Sequence, residues 1–548
     1  MAKKVVVTIL CLLVAAGLIV FKFYPKATGK IPEPSKIDKA ASAVGDKVVA
    51  PNEIPNLGPP GEYKMVGDTV DVEISVWPGY APLIVANGGL TPNEESYFFK
   101  KHGFKLKIAV SEQETEAFEA VNSGRNAVST TTVDVLALYG NRLKVEVPIQ
   151  LDFSRGGDGI LVTKDITSIN QLKGKTVTVA QYTESDFFIR FLAQEAGLKI
   201  KPLRGLADAI DVERVNLLFT RTAFDAADVF LDSVAKGNKL ISGTVTWSPK
   251  TVEIPEAYPD KVRLLTTNRN LLIVADVMIV NAAFAKQNPK IVKGLVEGIL
   301  QGVDMIQRDP QNTLPMVAKA FKMSAEDTRK SLQEVHLSNL PENVLFFSGE
   351  AGQTGNFNEI FYTAVYSYGK EVIANPAAPE KLVNRSYLEQ IAQEGLFAGQ
   401  TVALAPIKTV EKTESLERNP LLTKQIRFMF QANSSELDGA DTSNQQALND
   451  LINLLKLTPG SYLMFRGHLD SSKAEEFKQK GDAFYRKQCV RAVEQSKQRA
   501  ESVKAALLKT PVIDPKRIDT EGRGWDEPLP GAKPEDNRRV EVQLFTLE

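Results

Sequence analysis

Cysteine and histidine are nearly missing from this chain. There are two cysteines in 548 residues, Cys11 inside the first apolar run and Cys489 near the C-terminus. A disulfide framework is thereby excluded, and this pair is an implausible bridge. The three histidines, His102, His336 and His468, stand far apart without metal-ligand spacing, so neither a metal nor a cofactor is expected. Charge of one sign is also lacking: 66 Lys plus Arg against 67 Asp plus Glu leave a net charge of −1. With no long basic run either, nothing points to nucleic acid. Catalytic signatures are absent too: there is no G-x-S-x-G elbow, no H-E-x-x-H, and no Cys/His pair with useful context. Gly174-Lys175-Thr176 imitates the end of a phosphate-binding loop. Ile169, however, occupies the place of the required leading glycine, and a strand follows where a helix should. No enzyme is expected.

What is present is length, enough for three or four domains, and an ordinary globular composition of 43% hydrophobic and 24% charged residues. The chain opens MAKK and continues with an uncharged run over residues 5–21, at the short end of a membrane span. Lys3, Lys4 and Lys22 can snorkel to lengthen it. A cleaved signal peptide competes, since Ala27-Thr28-Gly29 offers small residues. Lys22, Pro25 and Lys26 crowd the place of a neutral cleavage region. Residues 1–24 therefore read as a single transmembrane signal anchor, with the folded part in the periplasm. Residues 25–69, rich in Pro, Lys, Ala and Gly, read as a semi-extended linker.

Alternation begins at Val70 (VDVEISVW) and stops at Pro78-Gly79, so a strand delivers Trp77 and Tyr80 to a turn before helical periodicity resumes. Residues 106–110 read as a strand, 115–122 as a helix and 127–129 as a strand, with Thr130, Thr131 and Thr132 opening another helix. Such alternation implies parallel strands with crossover helices, and ligands collect at the carboxyl ends of those strands. Three threonines there can offer hydroxyls and N–H groups to one bound group, or one of them can simply cap. Residues 147–153 form a further strand, followed by the turn SRGGDG. Asp152 and Asp158 are candidate acceptors for a ligand amine and Arg155 a candidate partner for an anion; surface turn chemistry is the alternative.

The stretch LKGKTVTVAQYTESDFFIRFL, residues 172–192, then gives a strand, a polar loop and a helix start. Thr183 with Asp186 three residues on has the form of a capping box. The free N–H groups beyond it can hold an anion or a polar ligand head. An ordinary strand-to-helix turn is the alternative. Beyond it come a segment at 202–206, a helix near 212–219, a strand ending at Trp247, an apolar strand at 271–280, and helices to about 398.

Five phrases in this order, WPGYAPLIVANGGL, FEAVNSGRNAVSTTTVDVLALYG, QLKGKTVTVAQYTESDFFIRFL, VTW and DVMIVNAAFAKQNPKIVKGLVEGI, resemble the periplasmic solute-binding proteins of the sulfonate, nitrate and thiamine-precursor ABC uptake class. The resemblance implies a two-lobed, type II-like α/β fold over 70–398. One lobe would span about 70–160 and 272–398, the other 161–271, with crossings near Leu161 and Leu271. It also implies that Trp77, Tyr80, Thr130, Thr131 and Thr132 face Tyr182, Thr183, Ser185 and Trp247 across a cleft.

Residues 399–422 read as a second linker. IRFMFQANSSEL, SYLMFRGHLDSS, SKQRAESVKAALL, IDTEGRGWDEP and NRRVEVQLF then resemble the α+β OmpA-like peptidoglycan-binding domain, over 423–548. The resemblance implies that Asp470 and Arg499 grip the amine and carboxylate of a peptidoglycan stem peptide, with Asn433, Asn537 and Arg539 in support. A guanidinium fork suits a carboxylate. Leu469 replaces the usual hydroxyl residue, Ala492 stands where an asparagine is common, and the stretch between Asp470 and Arg499 is longer than usual.

The whole implies a protein of the inner membrane that captures a small polar or anionic solute. It would pass that solute to an ABC-type permease or report it to a partner, and would hold the cell wall. The competing reading is a structural membrane-to-wall tether whose two-lobed domain binds nothing.

Overall fold

The computed structural model describes residues 44–111, 114–237, 241–348, 355–403, 419–431, 434–511 and 513–546. The apolar run at 5–21, part of the second linker and Asn433 lie outside the described residues. Among the described residues no helix is long and apolar enough to cross a membrane.

The strands in chain order are β1 (Thr69–Ile74), β2 (Lys105–Val110), β3 (Val128–Thr132), β4 (Val145–Ser154), β5 (Asp158–Thr163), β6 (Thr176–Ala180), β7 (Lys199–Leu203), β8 (Arg214–Thr220), β9 (Gly243–Trp247), β10 (Val262–Thr267), β11 (Ala275–Asn281) and β12 (Val335–Leu337). They form two six-stranded sheets, in the orders β12-β4-β11-β3-β1-β2 and β10-β5-β9-β6-β8-β7. The chain passes from the first sheet to the second between β4 and β5, and returns between β10 and β11. Leu161 lies inside β5, so the first crossing is the short segment after Ser154, while Leu271 lies in the returning one. Two sheets linked twice make two lobes with a cleft between them.

Sequence and structure also part within the lobes. The segment at 212–219, read as a helix, is β8, paired in parallel with both β6 and β7. Covered on both faces, VNLLFT loses the alternation that marks a half-buried strand. Thr130, Thr131 and Thr132 finish β3, and the next helix starts only at Val133. Thr183 occupies the N-cap of the helix Glu184–Glu195 but makes no capping bond. Its hydroxyl donates to the Ala180 carbonyl at 3.0 Å instead, and the Asp186 carboxylate reaches one residue past the box, accepting from Tyr182 N–H at 3.2 Å. Phe187, Phe188 and Phe191 of that helix are buried, each contributing about 1.5–3 kcal/mol of apolar transfer.

The second half of the presumed first linker is a strap. Val48 bridges to Thr220 of the second lobe, and Lys47 pairs with Asp225 at 3.2 Å. Arg142 of the first lobe donates to the Ile54 carbonyl at 2.8 Å, and Ile54, Leu57 and Tyr63 are buried. The strap therefore runs from one lobe to the other.

The C-terminal sheet has the order β13-β16-β14-β15, from β13 (Leu422–Ile426), β14 (Tyr462–Gly467), β15 (Ile518–Gly522) and β16 (Val540–Phe545). The helices Thr442–Leu457 and Asp482–Leu507 accompany it, the first capped by Asp441. A Cβ on Gly467 would stand 2.0 Å from the Ser496 carbonyl oxygen, and one on Gly522 2.0 Å from that of Val493. Those two glycines let the long helix lie directly on the strands.

Candidate functional site

Trp77 and Tyr80 reach the cleft because β1 ends at a 3-10 turn, Pro78–Tyr80. Trp77 Nε1 donates to Asp152 Oδ1 at 3.1 Å, and the Tyr80 hydroxyl donates to Asp276 Oδ1 at 2.6 Å. Gly79 is required between them, since a Cβ there would lie 1.8 Å from Asp152 Oδ2 and 2.6 Å from Trp77 Nε1.

At the crossings, Asn268 of the returning segment ties the outgoing one. Its Nδ2 donates to Asp158 Oδ2 and to Ser154 Oγ at 2.8 Å each, and its Oδ1 accepts from Gly156 N–H at 2.7 Å. Ser154 Oγ also donates to Asp158 Oδ2 at 2.8 Å. This network fixes Asp158 at the root of the cleft, with Trp247 beside it in register on β9.

In the second lobe Tyr182 takes a left-handed backbone, φ 63°, which is strained for an aromatic residue. It is held by the Asp186 contact and by its own hydroxyl, which donates to the Asn52 carbonyl of the strap at 2.5 Å. Asp186 pairs with Arg190 at 2.7 Å, both buried. Asp186 thus stands in the first turn of that helix as a carboxylate already paired with Arg190 and with the Tyr182 N–H.

The structure therefore gathers Trp77, Tyr80, Asp152 and Asp158, with Thr130 bonding near the Tyr80 hydroxyl. Thr131 is buried and its hydroxyl turns to the Thr132 carbonyl at 3.5 Å. Thr183 is occupied by the backbone, Tyr182 by the strap, and Trp247 packs edge-on against Phe224 with centroids 5.5 Å apart. Arg155 at the first crossing feels Arg269, whose charge also acts on Glu334.

Sequence reading missed Asp134, Glu184 and Asp276. Asp134 and Asp276 are acidic residues set in otherwise apolar or β-branched phrases, TTTVDV and IVADVM, and that signal could have marked them; Glu184, in the polar loop phrase YTESDFF, carries no such signal. Burial raises every one of these carboxyls: Asp134 to about 7, Asp152 to about 8, Asp158 to about 6, and Glu184 and Asp276 far above the ordinary range. Mutual repulsion adds to it, Asp158 acting on Asp134, Asp152, Glu184 and Asp276. Among the described residues no group of three or more such side chains is arranged to hold a metal ion.

In the C-terminal domain Asp470 accepts from Arg538 Nε at 2.7 Å and from Ser472 N–H at 3.1 Å. The Arg499 guanidinium lies over the Phe430 ring, 4.9 Å from its centroid, with Nε buried and unpartnered. Asp470 and Arg538 are the charges acting on Arg499. Asn537 is instead spent on the backbone, accepting from Leu529 N–H at 2.7 Å and donating to the Lys533 carbonyl at 3.2 Å. Arg539 is buried against Gln425 Oε1 at 2.5 Å and the Glu527 carbonyl at 3.1 Å. The arginine paired with Asp470 is Arg538. The longer stretch before Arg499 forms a short helix, Ala474–Gln479, and extends the long helix toward its N-terminus.

Residues 80–313 match the family model described as NMT1/THI5 like, and residues 429–541 match the OmpA family. A putative binding protein of Brucella abortus is 21% identical over 166 residues, which are 30% of this chain and 47% of that protein. A putative binding protein of Brucella melitensis matches to the same extent. The chain thus spans about half the length of these relatives. Among solved structures, the periplasmic aliphatic sulphonate binding protein of Escherichia coli is 14% identical with a TM-score of 0.43, covering 58% of this chain and 92% of that one. The periplasmic nitrate-binding protein of Synechocystis PCC 6803 is 14% identical with a TM-score of 0.41, covering 62% and 90%. With two sheets linked by two crossings and a third sheet beyond them, the chain carries a two-lobed α/β unit with an NMT1/THI5-like stretch over 80–313, followed by an OmpA-like domain over 429–541.

Proposed function

We propose that this chain is a solute-binding protein of the cell envelope, held in the inner membrane by residues 5–21 and attached to peptidoglycan by its C-terminal domain. The two lobes close on a small polar molecule, which is handed to an ABC-type permease or reported to a partner. One observation carries the reading. Both lobes deliver fully buried polar side chains to the same cleft, and several of their atoms have no partner. Buried polar atoms are otherwise almost always paired, so a cleft of this kind suits a guest. In the C-terminal domain Asp470 and Arg499 take the ammonium and carboxylate of the stem peptide.

The test is calorimetry of the purified full chain against a panel of small molecules, together with mass spectrometry of anything carried through purification. Saturable binding lost in Trp77→Ala supports the trap. No binding and no carried ligand overturns it in favour of the membrane-to-wall tether. That second reading has one observation on its side: the C-terminal domain bonds to both lobes, at Asn170 and at Leu272.

A further inference from the structure

Within the reading of the cleft as a trap, the side chains that line it also name the chemistry of the guest. Five carboxyls meet there. Asp134, Asp152 and Asp276 come from the first lobe, from the start of the helix Val133–Tyr139, from β4 and from β11; Asp158 and Glu184 come from the second, from β5 and from the start of the helix Glu184–Glu195. Asp134, Asp152, Glu184 and Asp276 each feel others of the set, Glu184 also feels Glu114, and no lysine or arginine is among the main charges acting on them. Arg155 and Arg269, the cations at the crossings, repel each other, and Arg269 acts on Glu334.

A second observation is independent of charge. Asp134 is fully buried, and neither of its carboxylate oxygens has a hydrogen-bond partner. The Thr132 hydroxyl and the Asp134 and Val135 amides lie near enough to favour its ionised form, yet none of them meets hydrogen-bond geometry. Asp152 Oδ2, Glu184 Oε1, Ser185 Oγ and Thr132 Oγ1 are buried and unpartnered as well. Ionised, these carboxyls only accept, while the Thr132 and Ser185 hydroxyls donate or accept. Burial in the unliganded protein favours the protonated forms of the carboxyls, so the guest that suits them brings its own positive charge and donors in place of those protons.

A single metal ion does not meet that demand, because no three acidic, histidine or cysteine side chains among the described residues are placed to hold one. Ligand oxygens would have to converge within about 2.0–2.6 Å of the ion. The acceptors are spread over both lobes and suit a longer body with donors at more than one point. An anion would enter beside five acids, with Arg155 and Arg269 at the crossings as the cations near them, so of the polar or anionic solutes expected from sequence the anionic ones fit these walls least.

We propose that the cleft takes an organic cation with two or more protonated amino groups, a di- or polyamine, held by Asp134, Asp152 and Asp276 on one lobe and by Asp158 and Glu184 on the other. Trp77 and Tyr80 serve it twice. Their N–H and O–H groups orient Asp152 and Asp276, and their rings offer apolar and cation–π surface to the methylene chain and its charges.

The experiment is calorimetric titration of the full chain, at a pH near 8, with putrescine, spermidine, ethanesulfonate, nitrate and glycerol as separate probes. One-to-one binding of putrescine or spermidine, weakened at least tenfold in Asp134→Asn and in Glu184→Gln, is the expected result. Thermal melting of both variants shows that they fold, and either suffices if the other does not. Saturable binding of ethanesulfonate, nitrate or glycerol with the amines silent overturns the amine and leaves the trap standing. Silence of all five probes also overturns the amine, and the fate of the trap is then decided separately by the ligand carried through purification. Amine binding that both variants leave unchanged overturns the assigned walls.

Discussion

Asn170 of the second lobe and Thr423 of the C-terminal domain exchange two hydrogen bonds: Asn170 Nδ2 donates to the Thr423 carbonyl at 2.8 Å, and Thr423 N–H donates to Asn170 Oδ1 at 2.7 Å. Around them Ile169 N–H donates to the Leu421 carbonyl at 2.8 Å, and Lys424 pairs with Glu195 at 3.2 Å. On the other side Leu272 N–H, in the returning crossing, donates to the Leu457 carbonyl at 2.7 Å, and Lys456 pairs with Glu359 of the first lobe at 2.9 Å. One domain thus bridges both lobes at the hinge.

Asn170→Ala removes the reciprocal pair and leaves two backbone groups of Thr423 without partners, a loss of about 1–3 kcal/mol borne by the docking. Hydrogen exchange at the Thr423 amide should accelerate by one to two orders of magnitude, and the C-terminal domain should begin to melt before the lobes. Unchanged exchange at Thr423 refutes the bridge.

The cleft acids make the stability of the unliganded protein depend on pH. Asp134 is raised from 3.8 to about 7, so its folded form binds the proton more tightly than its unfolded form. Stability is fully present below the unfolded value and is lost as pH rises through the folded one. At about 1.4 kcal/mol per unit, this group alone lowers stability by on the order of 4 kcal/mol across that window. The groups facing it are Thr132, Asp158, Glu184 and Tyr368. Asp152 and Asp158 add their own windows toward about 8 and about 6, and because the set titrates jointly the contributions do not sum. The melting temperature should fall from weakly acidic to weakly alkaline pH, and Asp134→Asn should flatten the slope. A melting temperature that rises over this range contradicts the buried, unneutralised cluster.

Tyr182→Phe deletes the bond from its hydroxyl to the Asn52 carbonyl and should free the strap at small cost to the fold, at the lower end of about 0.5–1.5 kcal/mol because the contact is exposed. Asn52 N–H still has Gln181 Oε1 at 3.0 Å, and Val49 N–H still has the Phe219 carbonyl at 2.9 Å. The expected change is a several-fold rise in exchange and in protease sensitivity over residues 49–54. Protection equal to that of the parent protein shows that the hydroxyl does not hold the strap.

For the wall clasp, the double variant Asp470→Ala, Arg499→Ala should release the chain from isolated peptidoglycan in a sedimentation assay. Arg499→Lys should weaken retention about tenfold, since lysine keeps the charge but loses the planar fork and its stacking on Phe430. Full retention by the double variant places the contact elsewhere.

Much of the local structure was readable without coordinates. Period-two alternation in VDVEISV and TVTVA and the Pro78-Gly79 stop are signals carried within a dozen residues. The order of phrases along the chain likewise marked two lobes followed by a separate third domain. Reading failed where burial on both faces erased the period, as in β8, and where a backbone acceptor outcompeted the expected one, as at Thr183.

The amino-acid order determined most of the elements and their sequence along the chain, because those follow from patterns between near neighbours. Only the tertiary structure decided that Asp134, Asp152, Asp158, Glu184 and Asp276, spread over more than a hundred positions, lie close enough to act on one another. It also decided that a presumed linker straps the lobes and that the third domain spans their hinge. These are contacts between segments remote in the chain, and they exist only once two crossings and a docked domain have set where each charge lies.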